Sequence, residues 1–287
     1  LPSNTDTQTY IFADTWKNQT DAPPGFSRTW GMSSSVPILK TPAKYRMNTA
    51  VTQSPLYGPL LIPALTQTLP VLCLTGEADT IFGDNGLHGS LRGTDAEVPA
   101  AVEYFDPLNP GAGFTARSGL QMHGGAVRNQ AKRAFRLDFT GTFGDGALQF
   151  PLFPGAKSET FDQLVLRPGG HDSFAARSRD ANVDGLDLAF HASYLRDQFL
   201  RLTENEAGLM SPRGRYVHLC INGLYWGVYD LHERPNAEYC AAQSGGDPAD
   251  WDVLHHNNIS SDLGPQVLDG SLESWSALQL LSSNPVV

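Results

Sequence analysis

The 287-residue sequence has no apolar run as long as the ~18–20 residues a membrane helix needs. Its longest candidate, LYGPLLIPAL (56–65), is short and is interrupted by Pro59 and Pro63. Cysteine is scarce. Cys73, Cys220 and Cys240 are an odd, sparse set that builds neither a disulfide framework nor a zinc module. One pair plus a free thiol, or three small buried hydrophobes, are the readings left. Positive charge is short as well: 20 basic residues against 30 acidic ones give a net charge of −10. That excludes a nucleic-acid protein held by bulk electrostatics, although it leaves room for a local basic site. HExxH, Cys-x-x-Cys and GxxxxGK[ST] are all absent, and the glycine-rich GDNGLHGS (83–90) matches no phosphate loop. No leader pattern precedes SNTDTQTY. The chain opens on Leu1 rather than Met, as expected of a processed form or a fragment.

What is present points to a folded body. Hydrophobic residues make up 40% and charged residues 17%, enough for a sizeable core in one large domain or two small ones. Residues 1–68 show little periodicity and read as an irregular arm that packs a few aromatics onto the body, with candidates in Tyr10–Phe12 and Phe26–Trp30. The body, residues 69–287, begins with the strand pattern PVLCLT (70–75). Further strands are expected at 98–106, 119–127, 133–139 and 161–167, and in RAFRLDF the residues Phe135, Leu137 and Phe139 alternate with Arg136 and Asp138. In LDLAFHASYLRDQFLRLT the residues Leu188, Ala192, Leu195, Phe199 and Leu202 fall at helical spacing on one face. RYVHLCI (215–221) and LYWGVYDL (224–231) flank Asn222-Gly223, the dipeptide of a type I′ hairpin. A two-residue turn pairs Ile221 with Leu224, Leu219 with Trp226 and Arg215 with Asp230. Pro235 sits at a first helical position, a strand is expected at 250–256, and SLESWSALQLL reads as a last helix. The class is α+β: one large, mostly antiparallel sheet with packed helices.

Four stretches carry candidate chemistry. Arg128, Lys132, Arg133 and Arg136 crowd into nine residues of an acidic chain. They could hold phosphates, arginine through bidentate contacts and lysine as a point charge, or they could guard an edge strand. His171-Asp172-Ser173 places base, acid and hydroxyl together after Gly169-Gly170, but consecutive residues rarely converge as a triad, so a plain loop competes. Glu233, at the end of the aromatic hairpin, could pair with the basic cluster or stabilise a helix start near Pro235. His255 and His256 point to opposite sides of a strand and cannot readily share one ion. From residues alone the reading stops at an α+β domain with a candidate anion site.

Taken in order, VEYFDP (102–107), GLQMHGGAVRNQAKRAFRLDF (119–139), LQFPLFPG (148–155), FDQLVLRPGGHDSF (161–174), YLRDQF (194–199), SPRGRYVHLCINGLYWGVYDLHERPN (211–236), GDPADWDVLHH (246–256) and LDGSLESWSAL (268–278) resemble the CotH family of atypical kinase-like proteins, first known from bacterial spore coats. The likeness spans about 69–281. It implies a kinase-like fold that uses ATP and Mg²⁺ or Mn²⁺ to phosphorylate Ser or Thr on secreted or cell-envelope proteins, in an extracytoplasmic setting of bacterial type. It assigns Arg128, Lys132, Arg133 and Arg136 to the phosphates, and Glu233 and Asp172 to the catalytic acidic positions, with a Lys132–Glu233 pair as the expected orienting contact. The family's metal-binding acidic segments lie downstream of the part matched, so the resemblance implies a domain incomplete at its C-terminus, with no metal ligands in this chain and no kinase activity from it alone. The alternative is a non-catalytic surface or adhesion module that presents Tyr225, Trp226 and Tyr229. Protein substrate and oligomeric state are not encoded in any motif.

Overall fold

The computed structural model describes residues 7–20, 23–24, 26–30, 41–88, 96–125, 128, 132–173, 192–256 and 264–283. Seven runs of alternating or wholly apolar residues form the strands of its main sheet: β1 (Val71–Thr75), β2 (Val98–Phe105), β3 (Gly113–His123), β4 (Ala134–Asp138), β5 (Gln163–Arg167), β6 (Gly214–Ile221) and β7 (Leu224–Glu233). They close into a barrel in the order β6-β7-β5-β4-β3-β2-β1, and β1 returns to β6. Each neighbouring pair is antiparallel except the closing β1–β6 seam, which is parallel. The expected α+β class with a large, mostly antiparallel sheet is therefore observed. Closure removes the sheet edges that such long apolar strands would otherwise expose.

Strand alternation sorts the side chains. Leu72, Leu74, Leu120, Met122, Phe135, Leu137, Leu164, Leu166, Leu219 and Leu231 fill the interior. On the outside of the β1–β6 seam, Val71, Cys73 and Cys220 are sealed by Trp16 and Leu65. Those two come from short helices of the N-terminal segment, α1 (Ala13–Lys17) and α2 (Leu61–Gln67). This segment does pack aromatics onto the body: Phe26 of the expected patch, joined by Trp16 and Tyr45. Tyr10 and Phe12 stay 75% and 70% exposed. Phe26 stacks at 4.6 Å on Phe82 of α3 (Ala78–Phe82).

The hairpin turn forms as its dipeptide predicts, with Asn222 at φ 49° and Gly223 at φ 81°. Its register departs from the expected one beyond the turn. Ile221 faces Leu224, but a bulge at Leu219/Cys220 shifts the ladder, so Leu219 faces Gly227 and Arg215 faces Leu231. The extra residue lets both Trp226 and Tyr229 turn into the core, with Gly227 at φ 117° absorbing the kink.

The helix expected around Leu188–Leu202 is α4 (Arg196–Glu206), and residues 186–191 of that reading lie outside the described residues. Its face is also different. Leu195, Phe199 and Leu202 are exposed, and the buried residue of α4 is Arg201. Pro235 precedes α5 (Ala237–Ser244) rather than entering it, and the Asn236 side chain caps that helix by accepting from Tyr239 N at 3.0 Å. Val253–His256 pairs with Pro265–Asp269, and α6 (Glu273–Ser282) follows.

Candidate functional site

The outer faces of β3, β4, β5 and β7 form a charged surface. Across it Gln121 lies opposite Arg136, Arg136 opposite Val165, Val165 opposite His232, and Arg167 opposite Asp230, while His123 lies opposite Ala134. The connection from β3 to β4 begins at Gly124-Gly125, where Gly124 has φ 86°. From this connection Arg128 folds back and donates from Nη2 to the Met122 carbonyl at 3.1 Å. Arg136 donates to Gln121 Oε1, and Gln121 donates in turn to Glu97 Oε2 at 2.7 Å.

The electrostatics of this face are set by burial and by its arginines. Burial, and then the charges of Arg234, Arg136, Arg167 and Arg128, hold the His123 pKa down at about 3, so the ring is neutral near neutral pH. Arg234 is itself buried. Burial and then Arg136 lower its pKa, against Asp269, Asp162 and Asp138. His232 is also kept neutral by burial, and its Nδ1 donates to the Glu233 carbonyl at 2.6 Å. Cations clustered around neutral imidazoles favour an incoming phosphate over another cation.

Helix α4 docks beside this surface through charge. Arg167 Nη1 lies 2.8 Å from Asp197 Oδ2 in the first turn of α4. Arg201, one turn on, meets Asp197 at 3.3 Å and forms a buried ion pair with Asp230. Burial raises the Asp230 pKa to about 6 even against that arginine. A cavity of about 400 Å³ adjoins the other end of β5, lined among others by Asp162, Gln163, Glu233, Arg234, Glu238 and Tyr239.

Of the residues singled out in the sequence, Arg128 and Arg136 meet here. Lys132 and Arg133 do not. Arg133 is 0% exposed and plugs the end of the barrel, where its Nη1 donates to the Leu87 carbonyl at 3.2 Å and its own carbonyl accepts from the Tyr229 hydroxyl at 3.1 Å. Burial, and then Arg128, lower its pKa to about 10. Lys132 reaches over the same end, 6.0 Å from the centre of the Tyr229 ring and against Gly227, where burial pushes its pKa down to about 8.

The expected Lys132–Glu233 pair is not formed. Gly227 and Glu233 lie six positions apart on β7 (227 to 233), or about 20 Å at the usual strand rise. Glu233 Oε2 accepts instead from Arg213 N at 2.8 Å, in a buried setting that raises its pKa. Asp172 is also committed elsewhere. It accepts from Ser193 N at 2.9 Å, Ser193 Oγ at 3.1 Å and Arg196 Nη1 at 2.7 Å, and so ties down the start of α4. The aromatic residues of the hairpin are largely turned inward. Trp226 and Tyr229 are core residues, and Tyr225 packs at 5.2 Å on Trp16.

Sequence reasoning missed Arg167 and Asp197. Their signal is a cation ending an apolar strand (QLVLR) and a carboxylate opening the next helix, two features that only folding brings together. Among the described residues no group of three or more His, Cys, Asp or Glu side chains could hold a metal ion, and no helix is long and apolar enough to cross a membrane.

A glycine-bearing β-hairpin, a following strand carrying a cation and a helix carboxylate paired with it mark the candidate site of this α+β domain. The family described as CotH kinase protein matches residues 120–277, which take in all of these elements but the start of β3. The chain belongs to the CotH kinase protein family. A comparison with curated proteins found no match.

Proposed function

We propose that this chain carries the phosphate-holding part of a CotH-type atypical kinase, which transfers a phosphoryl group from ATP to Ser or Thr hydroxyls of extracytoplasmic proteins. The family supports kinase-like function and, in general terms, the use of nucleotide and metal. The observation that carries the reading is the Arg167–Asp197 pair beside a glycine-bearing hairpin. Protein kinases cover the phosphates with a glycine-rich hairpin and orient a cation of a following strand through a helix carboxylate. In this reading Gly124-Gly125 supply the hairpin, Arg167 the strand cation and Asp197 its orienting partner, all of them part of one kinase-like fold.

The arginines fit a nucleotide's phosphates. Arg136 and Arg167 are the direct contacts, Arg128 covers them from the hairpin, and Arg234 adds positive potential. Arginine in place of lysine offers two parallel donors to one phosphate. His123, neutral, adds no cation of its own yet can accept a proton once an anion lowers the local potential. Lys132 and Arg133 hold the barrel end beneath the hairpin. Bound Mg²⁺ or Mn²⁺ would neutralise charge developing on the transferred group. The described residues supply no ligand set for it, and no step is assigned to it. Glu233 and Asp172 act in this reading as positioning residues, for the 213 backbone and for α4.

Calorimetric titration with ATP, with and without Mg²⁺, tests the assignment. Arg167→Ala and Arg136→Ala should each weaken binding at least tenfold while the fold, read by circular dichroism, persists. Unchanged affinity in both variants would overturn it.

A further inference from the structure

Two of the three cysteines are neighbours in the barrel. Cys73 of β1 and Cys220 of β6 are register partners across the parallel seam that closes it. Adjacent strands lie about 4.8 Å apart, which falls inside the Cα separation of about 4.4–6.8 Å that a disulfide spans. In-register residues on neighbouring strands share a side of the sheet. Here that side is the outer one, where both side chains join the cluster under Trp16 and Leu65. Both are 1% exposed, and all three cysteines are thiols in this structure. The Cys73 thiol is driven far above its ordinary range, first by its hydrogen bond with Cys220, then by burial, then by the Cys220 and Glu103 charges, with Thr9 opposing. The Cys73 sulfur is therefore held as a neutral thiol against Cys220. Cys240 lies on α5, a separate element, in contact with neither.

We infer that Cys73 and Cys220 are a cross-strand disulfide site, which closes when the chain folds in an oxidising medium and staples the barrel seam while Cys240 remains a free thiol. Two thiols lose two protons and two electrons, and one S–S bond forms. The electrons reduce a disulfide oxidant, such as oxidised glutathione, to two thiols. Because both native sulfurs are covered and the Cys73 thiol is kept protonated, attack by or on a thiolate is suppressed once the N-terminal segment has docked. The bond therefore forms during folding, before Trp16 covers the seam, and afterwards resists reductant. The link joins an early strand to a late one, so it closes a long loop and restricts the unfolded chain strongly. This inference stands independently of the kinase reading.

The test is a thiol count on the full chain after refolding from the reduced, denatured state in a reduced/oxidised glutathione buffer. Folding is followed by circular dichroism, and thiols are counted by maleimide mass-tagging in denaturant. One tag is expected for the wild type, none for Cys240→Ser, and two for either Cys73→Ser or Cys220→Ser. Proteolytic mapping of the wild type should recover the Cys73- and Cys220-containing peptides linked, which keeps the test decisive even if a variant does not refold. The link should survive millimolar dithiothreitol in the native protein and vanish in denaturant. Three tags on the folded wild type, or a link that includes Cys240, would overturn the inference.

Discussion

Arg167 at the end of β5 and Asp197 in the first turn of α4 form an ion pair 2.8 Å long, joining the sheet to the helix at the edge of a surface crowded with arginines. Both side chains are close to half exposed, so the pair contributes less than about 1 kcal/mol to stability. Its consequence is orientation. Asp197→Asn should weaken ATP binding about 3- to 10-fold, a change of about 1 kcal/mol, with a nearly unchanged melting temperature. Calorimetry and thermal unfolding on the same sample check both halves of that expectation.

The neighbouring Arg201–Asp230 pair should behave in the opposite way. Both partners are buried, and α4 offers the sheet no apolar alternative, since Phe199 and Leu202 face away. Arg201→Ala leaves a buried carboxylate without its partner and should cost about 3–5 kcal/mol in urea unfolding. Replacing both partners, as Arg201→Met with Asp230→Leu, should recover most of that loss. A single-variant cost below about 1 kcal/mol would show that water compensates Asp230.

His123 gives the protein a defined acid response. Its folded pKa of about 3 lies below an unfolded value of about 6.5, so across that window the unfolded chain binds the proton more readily. Stability is therefore full above about pH 6.5 and falls as pH drops toward 3. The expected loss is on the order of 2–4 kcal/mol, and His123→Gln should flatten it. In NMR the His123 ring should not titrate between about pH 5 and pH 8 in the free protein, whereas a bound phosphate ligand should raise its pKa.

Gly227 is held at φ 117°, and a Cβ there would collide with Lys132 Nζ. Gly227→Ala should destabilise by about 1–3 kcal/mol through strain and that collision. Shortening the lysine in the same background, as Lys132→Ala, should return the steric part only. Equal stability of wild type and Gly227→Ala would show that the bulge relaxes without cost.

Local chemistry was legible wherever it was self-sufficient. Asn222-Gly223 predicted its turn because both residues adopt positive φ at little cost, and RAFRLDF predicted its strand because alternation is a property of the chain itself. The register of the hairpin was not legible. The bulge answers to whether Trp226 and Tyr229 can both fit the interior, and that depends on six other strands. The face of α4 was misread for a related reason: an apolar stripe at helical spacing carries no information on whether a buried arginine on another face has a carboxylate waiting across the gap.

The candidate site divides along the same line. Sequence alone determined that a basic cluster lies in an acidic chain, that it adjoins a glycine pair, and that the ordered segments resemble the CotH family. The tertiary structure decided which of those cations face one another. Strand parity sends Arg136 outward and Arg133 inward although they are three residues apart, and extended β7 puts Glu233 six positions beyond Gly227, where Lys132 sits. It also brought together Arg167, Asp197 and Arg234, from three separate stretches of the chain, and set Cys73 beside Cys220. Convergence of distant residues is set by barrel closure, and closure is a property of all seven strands together rather than of any one stretch of sequence.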